Sequence, residues 1–403
     1  MIKKLLDKMG IELWFAAHLA YGFVQLVFIP MMIPAFVAER TESFENAGLA
    51  MAFFGVAGLA APLIGIAADK YKAHRIAQFL GMASYVIAAA FYICAGTNFE
   101  MMCAGSVFFG LGSATLLMLN PVFITFAGYD NKTEALKLGR LAQICIVGVL
   151  LGGGLLATMT DGGLPYETIF ATMAVLVAVL GLVTITSSKA AGARIITNAS
   201  EEKESSQEGT KLNFKEVLFS KFGAFLVAIA TLCAGQGAFQ AQYPNLMEHA
   251  FDVPQSMSAG ALSIAAVFGL FVVAIAERYS ALKGPKALFT MCAFLSVAVV
   301  NILLGFGYFP TAIAAFIACA LVIIYLQGIT VTDMCSPAIA SRLSSVGAGY
   351  TQGMMMFFIS IGFAAGSAIS GFAVDAFGWN GLILTISGLT GISCAIISAI
   401  KTK

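Results

Sequence analysis

Residues 65–75 read GIAADKYKAHR. They crowd Asp69, Lys70, Lys72, His74 and Arg75 together directly after an apolar run, in a chain that is 60% hydrophobic and only 11% charged. A water-soluble domain carries about a quarter charged residues, so the polar side chains here are too few to coat a globule. They fall in short clusters that separate apolar stretches of about 20 residues, the length that crosses a bilayer's hydrocarbon core as a helix. Residues 65–75 therefore read as a short turn between two membrane-spanning helices.

In lipid the backbone must satisfy its own hydrogen bonds, so long apolar runs mean helices, and membrane helices tolerate the Gly and Pro found inside them. A strand barrel needs short alternating segments, which are absent. Twelve spans are expected, near 12–37, 46–68, 76–96, 101–126, 139–160, 166–187, 219–247, 256–276, 286–307, 310–334, 345–372 and 378–400. With the N-terminus inside, almost every Lys and Arg falls in a cytoplasmic loop, Arg40 being the one outside, while the opposite loops hold acids such as Glu39, Glu100, Asp161, Glu248 and Asp375. That asymmetry sets both termini in the cytoplasm. The run after Met1 is too long for a signal peptide and reads as the first span, retained. Residues 188–215, with NASEEKESSQEGTKLN at 198–213, have the composition of a solvated linker. The chain then divides into a six-helix bundle over 1–187, the linker, and a second bundle over 216–403.

Composition also excludes. The net charge of +1 and the lack of a basic stripe give no sign of nucleic-acid binding, and the eight cysteines are scattered with no CxxC. They read as small buried hydrophobes, neither a metal set nor a disulfide framework. No nucleophile constellation, metal cluster or phosphate loop is present, so no enzyme and no cofactor are expected.

The two halves echo each other. Gly22-x2-Gln25 with Pro30 matches Gly237-x2-Gln240 with Pro244. Asp69-Lys70-Tyr71 matches Glu277-Arg278-Tyr279, and Gly112-x7-Asn120-Pro121 matches Gly328-x7-Ser336-Pro337. Gly139-x8-Gly148-x3-Gly152 has the same spacing as Gly353-x8-Gly362-x3-Gly366, and Asp161 precedes its span as Asp375 does. Five matches in one order, offset by about 210 residues, are what a duplication leaves.

Two parallel six-helix repeats of this kind resemble the major facilitator superfamily. The family's loop signature Gly-x-x-x-Asp-Arg/Lys-x-Gly-Arg-Lys/Arg is met by Gly65, Asp69, Lys70 and Arg75 with one residue of slack, Lys72 standing where the second Gly is expected. Glu277-Arg278 looks like its degenerate second copy. Two family signatures are incomplete. Ser106 stands where the span-4 Arg would be, and Gly153, not Pro, follows Gly148 and Gly152.

The resemblance implies a fold of twelve helices and a transporter of the inner membrane working by alternating access, expected as a monomer. It implies a cytoplasmic gate at Gly65, Asp69, Lys70, Arg75, Glu277 and Arg278; a topology signal without gating is the plainer alternative. Gly148 and Gly152, like Gly362 and Gly366, share a helix face and mark close helix packing, static or sliding between the halves. It also implies a cavity lined by the first and fourth spans of each repeat. His18, Tyr21 and Gln25 share one face by spacing, as do Gln236, Gln240 and Tyr243. Asn120, Gln143, Tyr325 and Gln327 add polarity as candidate substrate-binding residues.

Asp333, late in an apolar run, is a candidate proton carrier, unless its span ends earlier and it meets water or Arg342. His18 is a second titrating candidate or a packing residue. No Lys or Arg lies deep in a span, which favours a neutral, zwitterionic or cationic substrate. Three functions follow: proton-coupled transport of a small organic solute, multidrug-type efflux of hydrophobic compounds, or a membrane sensor that keeps the fold without transporting.

Overall fold

The computed structural model describes residues 10–125, 127, 129, 131–202, 219–305, 311–344 and 348–400. These residues are helical almost throughout. The first helix, α1 (Leu13–Thr41), is followed by α2 (Phe44–Ala57), α3 (Ala61–Lys70), α4 (His74–Ala95), α5 (Phe99–Thr125), α6 (Asn131–Asp161) and α7 (Tyr166–Ser187). Then come α8 (Lys189–Glu202), α9 (Lys221–Phe251), α10 (Gln255–Lys283), α11 (Pro285–Gly305), α12 (Thr311–Leu343) and α13 (Ala348–Ala399).

Ten of these helices are long and apolar enough to cross a membrane. The remaining expected spans lie inside interrupted helices. Residues 46–68 fall on α2 and α3, joined by a 3-10 turn over Gly58–Ala60, because Pro62 lacks the N–H that would carry the ladder through. Residues 345–372 and 378–400 run together in α13, where Gly378 has φ 66° and ψ −170°. That left-handed break is open to glycine at no steric cost.

Proline also shapes α1. Pro30 has no N–H to give the Leu26 carbonyl, and the preceding residues open into a π turn, Val24–Phe28, with the Ile29 N–H bonded five residues back to Val24. Gln25 sits inside that turn. Such wide turns concentrate at functional sites.

The linker expected over 188–215 begins instead as helix α8. Its first turns are amphipathic. Ala191 and Ile195, four apart, are buried with Trp14, Phe15, Ala68, Leu119 and Phe123. Residues 203–215 of that linker lie outside the described residues.

By contacts the chain forms two compact units, Met1–Ile29 with Ala60–Glu208, and Pro30–Leu59 with Gly209–Lys403. Each is built on one seam of glycine against backbone. In the first unit a β-carbon on Gly22 would collide with the Cys145 carbonyl, one on Gly148 with the Leu19 carbonyl, and one on Gly152 with the Phe23 ring. Helices α1 and α6 therefore touch backbone to backbone. In the second unit Gly237 meets the Phe363 carbonyl, Gly362 that of Ala230 and Gly366 that of Ala234, which closes α9 onto α13. The same stretch of α13 receives α2: a β-carbon on Gly48 would lie 2.6 Å from the Ser367 carbonyl oxygen, and one on Gly55 3.1 Å from Ala364 Cα. Small residues permit this approach in lipid, where dispersion rather than water exclusion holds helices together.

Two buried tyrosines of the first unit are paired with serines. Tyr85 meets Ser113 at 2.9 Å and Tyr92 meets Ser106 at 2.7 Å. The place of the missing family Arg is thus filled by a neutral Tyr–Ser pair.

The seam makes a sharp contrast testable within one helix. Gly148→Ala forces a methyl into a backbone carbonyl that cannot rotate away, and it should destabilise by about 1–3 kcal/mol. Gly154→Ala, six residues on, meets nothing within 4 Å and should be neutral or stabilise by about 0.5–1 kcal/mol. Thermal unfolding of the two variants in detergent checks this; equal melting temperatures would show that α1 and α6 do not touch as described.

Candidate functional site

Helix α1 carries a chain of buried polar groups. The His18 ring stacks on Tyr21 with centroids 5.3 Å apart. Gln78 Nε2 of α4 donates to Asn120 Oδ1 of α5 at 2.7 Å, and Asn120 Nδ2 lies 3.1 Å from His18 Nδ1. His18, Gln78 and Asn120 are all buried. With its oxygen engaged, Asn120 offers its amide N–H to His18 Nδ1, so the imidazole is the neutral tautomer with its proton on Nε2. Gln25, in the π turn, has a buried Oε1 with no hydrogen-bond partner. His18, Tyr21 and Gln25 together offer donors and acceptors but no net charge.

Gln78 is the member the sequence did not single out. A lone amide in an apolar span has no spacing signal, and its partner is 42 residues away.

The second unit holds a carboxylate inside a span. Helix α12 continues to Leu343, so Asp333 lies within the apolar span Ile313–Ala340. Its side chain is exposed and lies near the amide of Gln236 on α9. No ion pair engages it among the described residues. Gln240, one turn beyond Gln236, is half-buried.

Four other candidates are turned to packing or to the surface. Tyr243 is buried and donates to the Ser258 carbonyl at 2.8 Å. Gln327 Nε2 donates to the Ala265 carbonyl at 2.9 Å and ties α12 to α10. Tyr325 is buried with its ring 4.7 Å from Phe239. Gln143 is exposed and accepts from Arg140 Nη1 at 2.7 Å, one turn away on the same helix. Two further amides of α9 bridge helices within the second unit. Gln242 donates to the Phe44 carbonyl at 2.8 Å, and Asn245 to the Pro34 carbonyl at 3.2 Å.

In the turn after α3, Lys72 has φ 52°, the left-handed conformation that explains why glycine suits this position. Lys70 and Arg278 are exposed, and Gly65 lies against Met118, 3.0 Å from its sulfur to a built β-carbon. The side chains of Asp69 and Glu277 lie outside the described residues. Arg75 is not an unattached loop charge. Its Nη2 donates to the Ile185 carbonyl at 2.7 Å, at the C-terminal end of α7 where the helix dipole favours a cation. Gly192 of α8 makes room for it: a β-carbon there would stand 2.5 Å from Arg75 Cγ and Cδ.

A further cluster, unmarked by any motif, joins three helices. Glu12 Oε1 accepts from Lys137 Nζ at 2.5 Å and from Tyr129 Oη at 3.1 Å, and Oε2 accepts from Trp14 Nε1 at 3.0 Å. Arg194 of α8 lies 3.6 Å from the same carboxylate and donates to the Tyr129 hydroxyl. Partial burial works to raise the Glu12 pKa, but the hydrogen bond and charge of Lys137, with Trp14 and Arg194, outweigh it and hold the carboxyl below its ordinary range.

The comparisons agree with this architecture. The family model described as Major Facilitator Superfamily matches residues 13–350. The crystal structure of the nucleoside transporter NupG superposes with a TM-score of 0.74 at 15% identity, over 98% of this chain and 100% of that one. The D-xylose-proton symporter superposes with a TM-score of 0.69 at 14% identity, over 97% of each chain. The human organic anion transporter MFSD10 does so with a TM-score of 0.63 at 13% identity, over 96% of this chain and 98% of that one. These identities establish likeness of fold. No curated protein sequence matches the chain.

The Glu12 cluster sets a pH dependence. A carboxyl whose folded pKa is depressed stabilises the fold above its ordinary value, here 4.5, and that stabilisation is lost as pH falls through the lowered value. Glu12→Gln should lower the melting temperature at neutral pH by about 2–4 °C and flatten the acid limb of the stability profile. A variant as stable as the parent at pH 7, with the same acid limb, would show that the cluster contributes nothing.

Proposed function

The chain belongs to the major facilitator superfamily, and on that premise we propose that it carries a small, neutral, hydrogen-bonding solute across the inner membrane, coupled to protons. The observation that carries this reading is Asp333: an open carboxylate inside an apolar span, neighboured by an amide and, among the described residues, by no cation. An ionisable group at that depth is costly and serves a solute or proton path.

The solute class follows from the lining. His18, Tyr21, Gln25, Gln236 and Gln240 supply hydrogen bonds without charge. The basic residues that are described sit toward helix ends, such as Arg75 opening α4, Lys283 closing α10 and Arg342 near the end of α12. A carboxylate or phosphate substrate would lack a deep counter-charge. Sugars and nucleosides fit, and the similar structures include transporters of both kinds. Transport would proceed by alternating access between two six-helix halves about a central site, with the loops after α3 and α10 meeting the cytoplasm as the gate.

A stabilisation screen of the purified protein against pentoses, hexoses and nucleosides should return a solute that raises the melting temperature, since a ligand bound to the native state stabilises by mass action. In proteoliposomes with an imposed pH gradient that solute should accumulate. Asp333→Asn should keep its affinity within about threefold and still exchange solute, yet lose gradient-driven accumulation by about tenfold or more, the range of a single proton-transfer group. Accumulation at the parent level in Asp333→Asn removes the proton role. A screen in which only hydrophobic cations stabilise removes the solute class.

A further inference from the structure

We propose that Gln78 and Asn120 are positioning residues: together they hold the His18 ring as a hydrogen-bond donor at Nε2, and so select a solute that offers it a group able only to accept. This rests on the reading of α1 as a solute-binding helix, and it adds the direction in which one of its contacts runs.

A neutral imidazole carries its proton on Nδ1 or on Nε2, and the partner of one nitrogen decides the role of the other. Here the partner of Nδ1 is Asn120 Nδ2, at 3.1 Å. An amide could present either end to the ring. Gln78 fixes which, since its Nε2 donates to Asn120 Oδ1 at 2.7 Å. Turning both amides over would keep two hydrogen bonds but reverse them. Gln78 would then accept through Oε1, Asn120 would accept from Nδ1–H, and both N–H groups of the Gln78 amide would be left bare. As the chain stands, the bare atom is Gln78 Oε1. A buried carbonyl lacking a donor is tolerated more readily than a buried N–H lacking an acceptor, and Gln78 and Asn120 are both fully buried. The far end of the chain therefore sets the near end.

The chain spans three helices, with Gln78 on α4, Asn120 on α5 and His18 on α1. One turn from Gln78, a β-carbon on Gly112 would lie 2.7 Å from the Gly81 carbonyl oxygen, so α4 and α5 meet backbone to side-chain-free backbone. Stacking on Tyr21, with planes 9° apart, fixes the plane of the His18 ring. His18 is only 8% exposed. Its Nε2 makes no hydrogen bond among the described residues and, unlike Gln78 Oε1, is not sealed from solvent. Glue between helices is the plain role for buried amides in lipid. It accounts for the pairing of Gln78 with Asn120, but not for a chain that ends on an unbonded N–H at the atom still open. That N–H can only donate. A carbonyl or ring oxygen of a solute satisfies it; an ammonium does not.

The test reads the His18 ring directly, by long-range 1H–15N correlation on the full-length protein in detergent at about pH 8.5, above the ordinary imidazole range. The chain has three histidines, and His18→Gln identifies the signal. The parent should favour the proton on Nε2 by about fivefold to tenfold, the worth of one hydrogen bond. Asn120→Asp presents only acceptors to Nδ1, so the preference should reverse. Gln78→Leu removes no atom that touches His18, yet it frees Asn120 to turn and should bring the two forms toward equality. Uridine and D-xylose, which carry a carbonyl and a ring oxygen, serve as binding probes. Whichever of them raises the parent's melting temperature should bind about tenfold more weakly to Asn120→Asp, where two acceptors face each other. A parent that binds neither probe fails the solute reading alone, and the ring spectrum then decides this proposal by itself. Should Asn120→Asp not fold, the parent and Gln78→Leu still decide. A parent proton on Nδ1, a Gln78→Leu spectrum with the parent's ratio, or undiminished probe binding by a folded Asn120→Asp whose proton has moved overturns the proposal.

Discussion

Everything else in this molecule rests on two helices approaching until backbone meets backbone, α1 on α6 and α9 on α13. In lipid no water is released when helices associate, so contact area alone gives little. What remains is dispersion between well-fitted surfaces, which falls steeply with any gap. Glycine removes the gap. At Gly148, Gly152, Gly362 and Gly366 the facing helix comes so near that even a methyl group has no place. These seams fix where α1 and α9 run, and those helices carry His18, Tyr21, Gln25, Gln236 and Gln240.

A seam of that kind constrains what can line a site beside it. The face of α1 that holds Gly22 is spent on packing, which leaves the polar residues of neighbouring faces to be satisfied by other helices. The His18–Asn120–Gln78 chain is one solution, with every member buried and both of its hydrogen bonds donated by amides. Buried polar groups of this sort are tolerated only when paired. Gln25 departs from that rule, and it does so inside the π turn that Pro30 imposes. An unsatisfied acceptor inside a wide turn sets Gln25 apart from the paired residues of that chain.

The sequence disclosed the seams because glycine spacing is periodic and was copied with the repeat. It disclosed the turn after α3 for the same reason: Lys72 occupies a left-handed position that a glycine-bearing signature anticipates. It did not disclose Gln78 or the Glu12–Lys137–Arg194 cluster. Both depend on partners more than 40 residues apart, and neither leaves a local pattern. Nor did it disclose what Arg75 bonds to, because a charge beside a loop signature says nothing of the α7 carbonyl waiting across the bundle. Helix α8 was hidden by averaging: a Ser- and Glu-rich stretch masks the Ala191–Ile195 pair at its start. Periodicity set Tyr243 on one face with Gln236 and Gln240, yet periodicity cannot say which neighbour fills that face.

The two seams use equivalent glycines in registers that differ by one helical turn. By the repeat, Gly237 corresponds to Gly22, Ala234 to Leu19, and Gly366 to Gly152. The Leu19 carbonyl faces Gly148, whereas the Ala234 carbonyl faces Gly366. Likewise Gly22 faces Cys145, while Gly237 faces Phe363, four residues beyond the counterpart of Cys145. A pair of glycines four apart offers a seat at either of two neighbouring turns, so both registers bury a carbonyl against a missing side chain. Packed elements shift between such discrete seats rather than deforming continuously. The glycine pairs therefore do more than admit a close approach. They are seated in two registers, one turn apart, and each half of this chain occupies one.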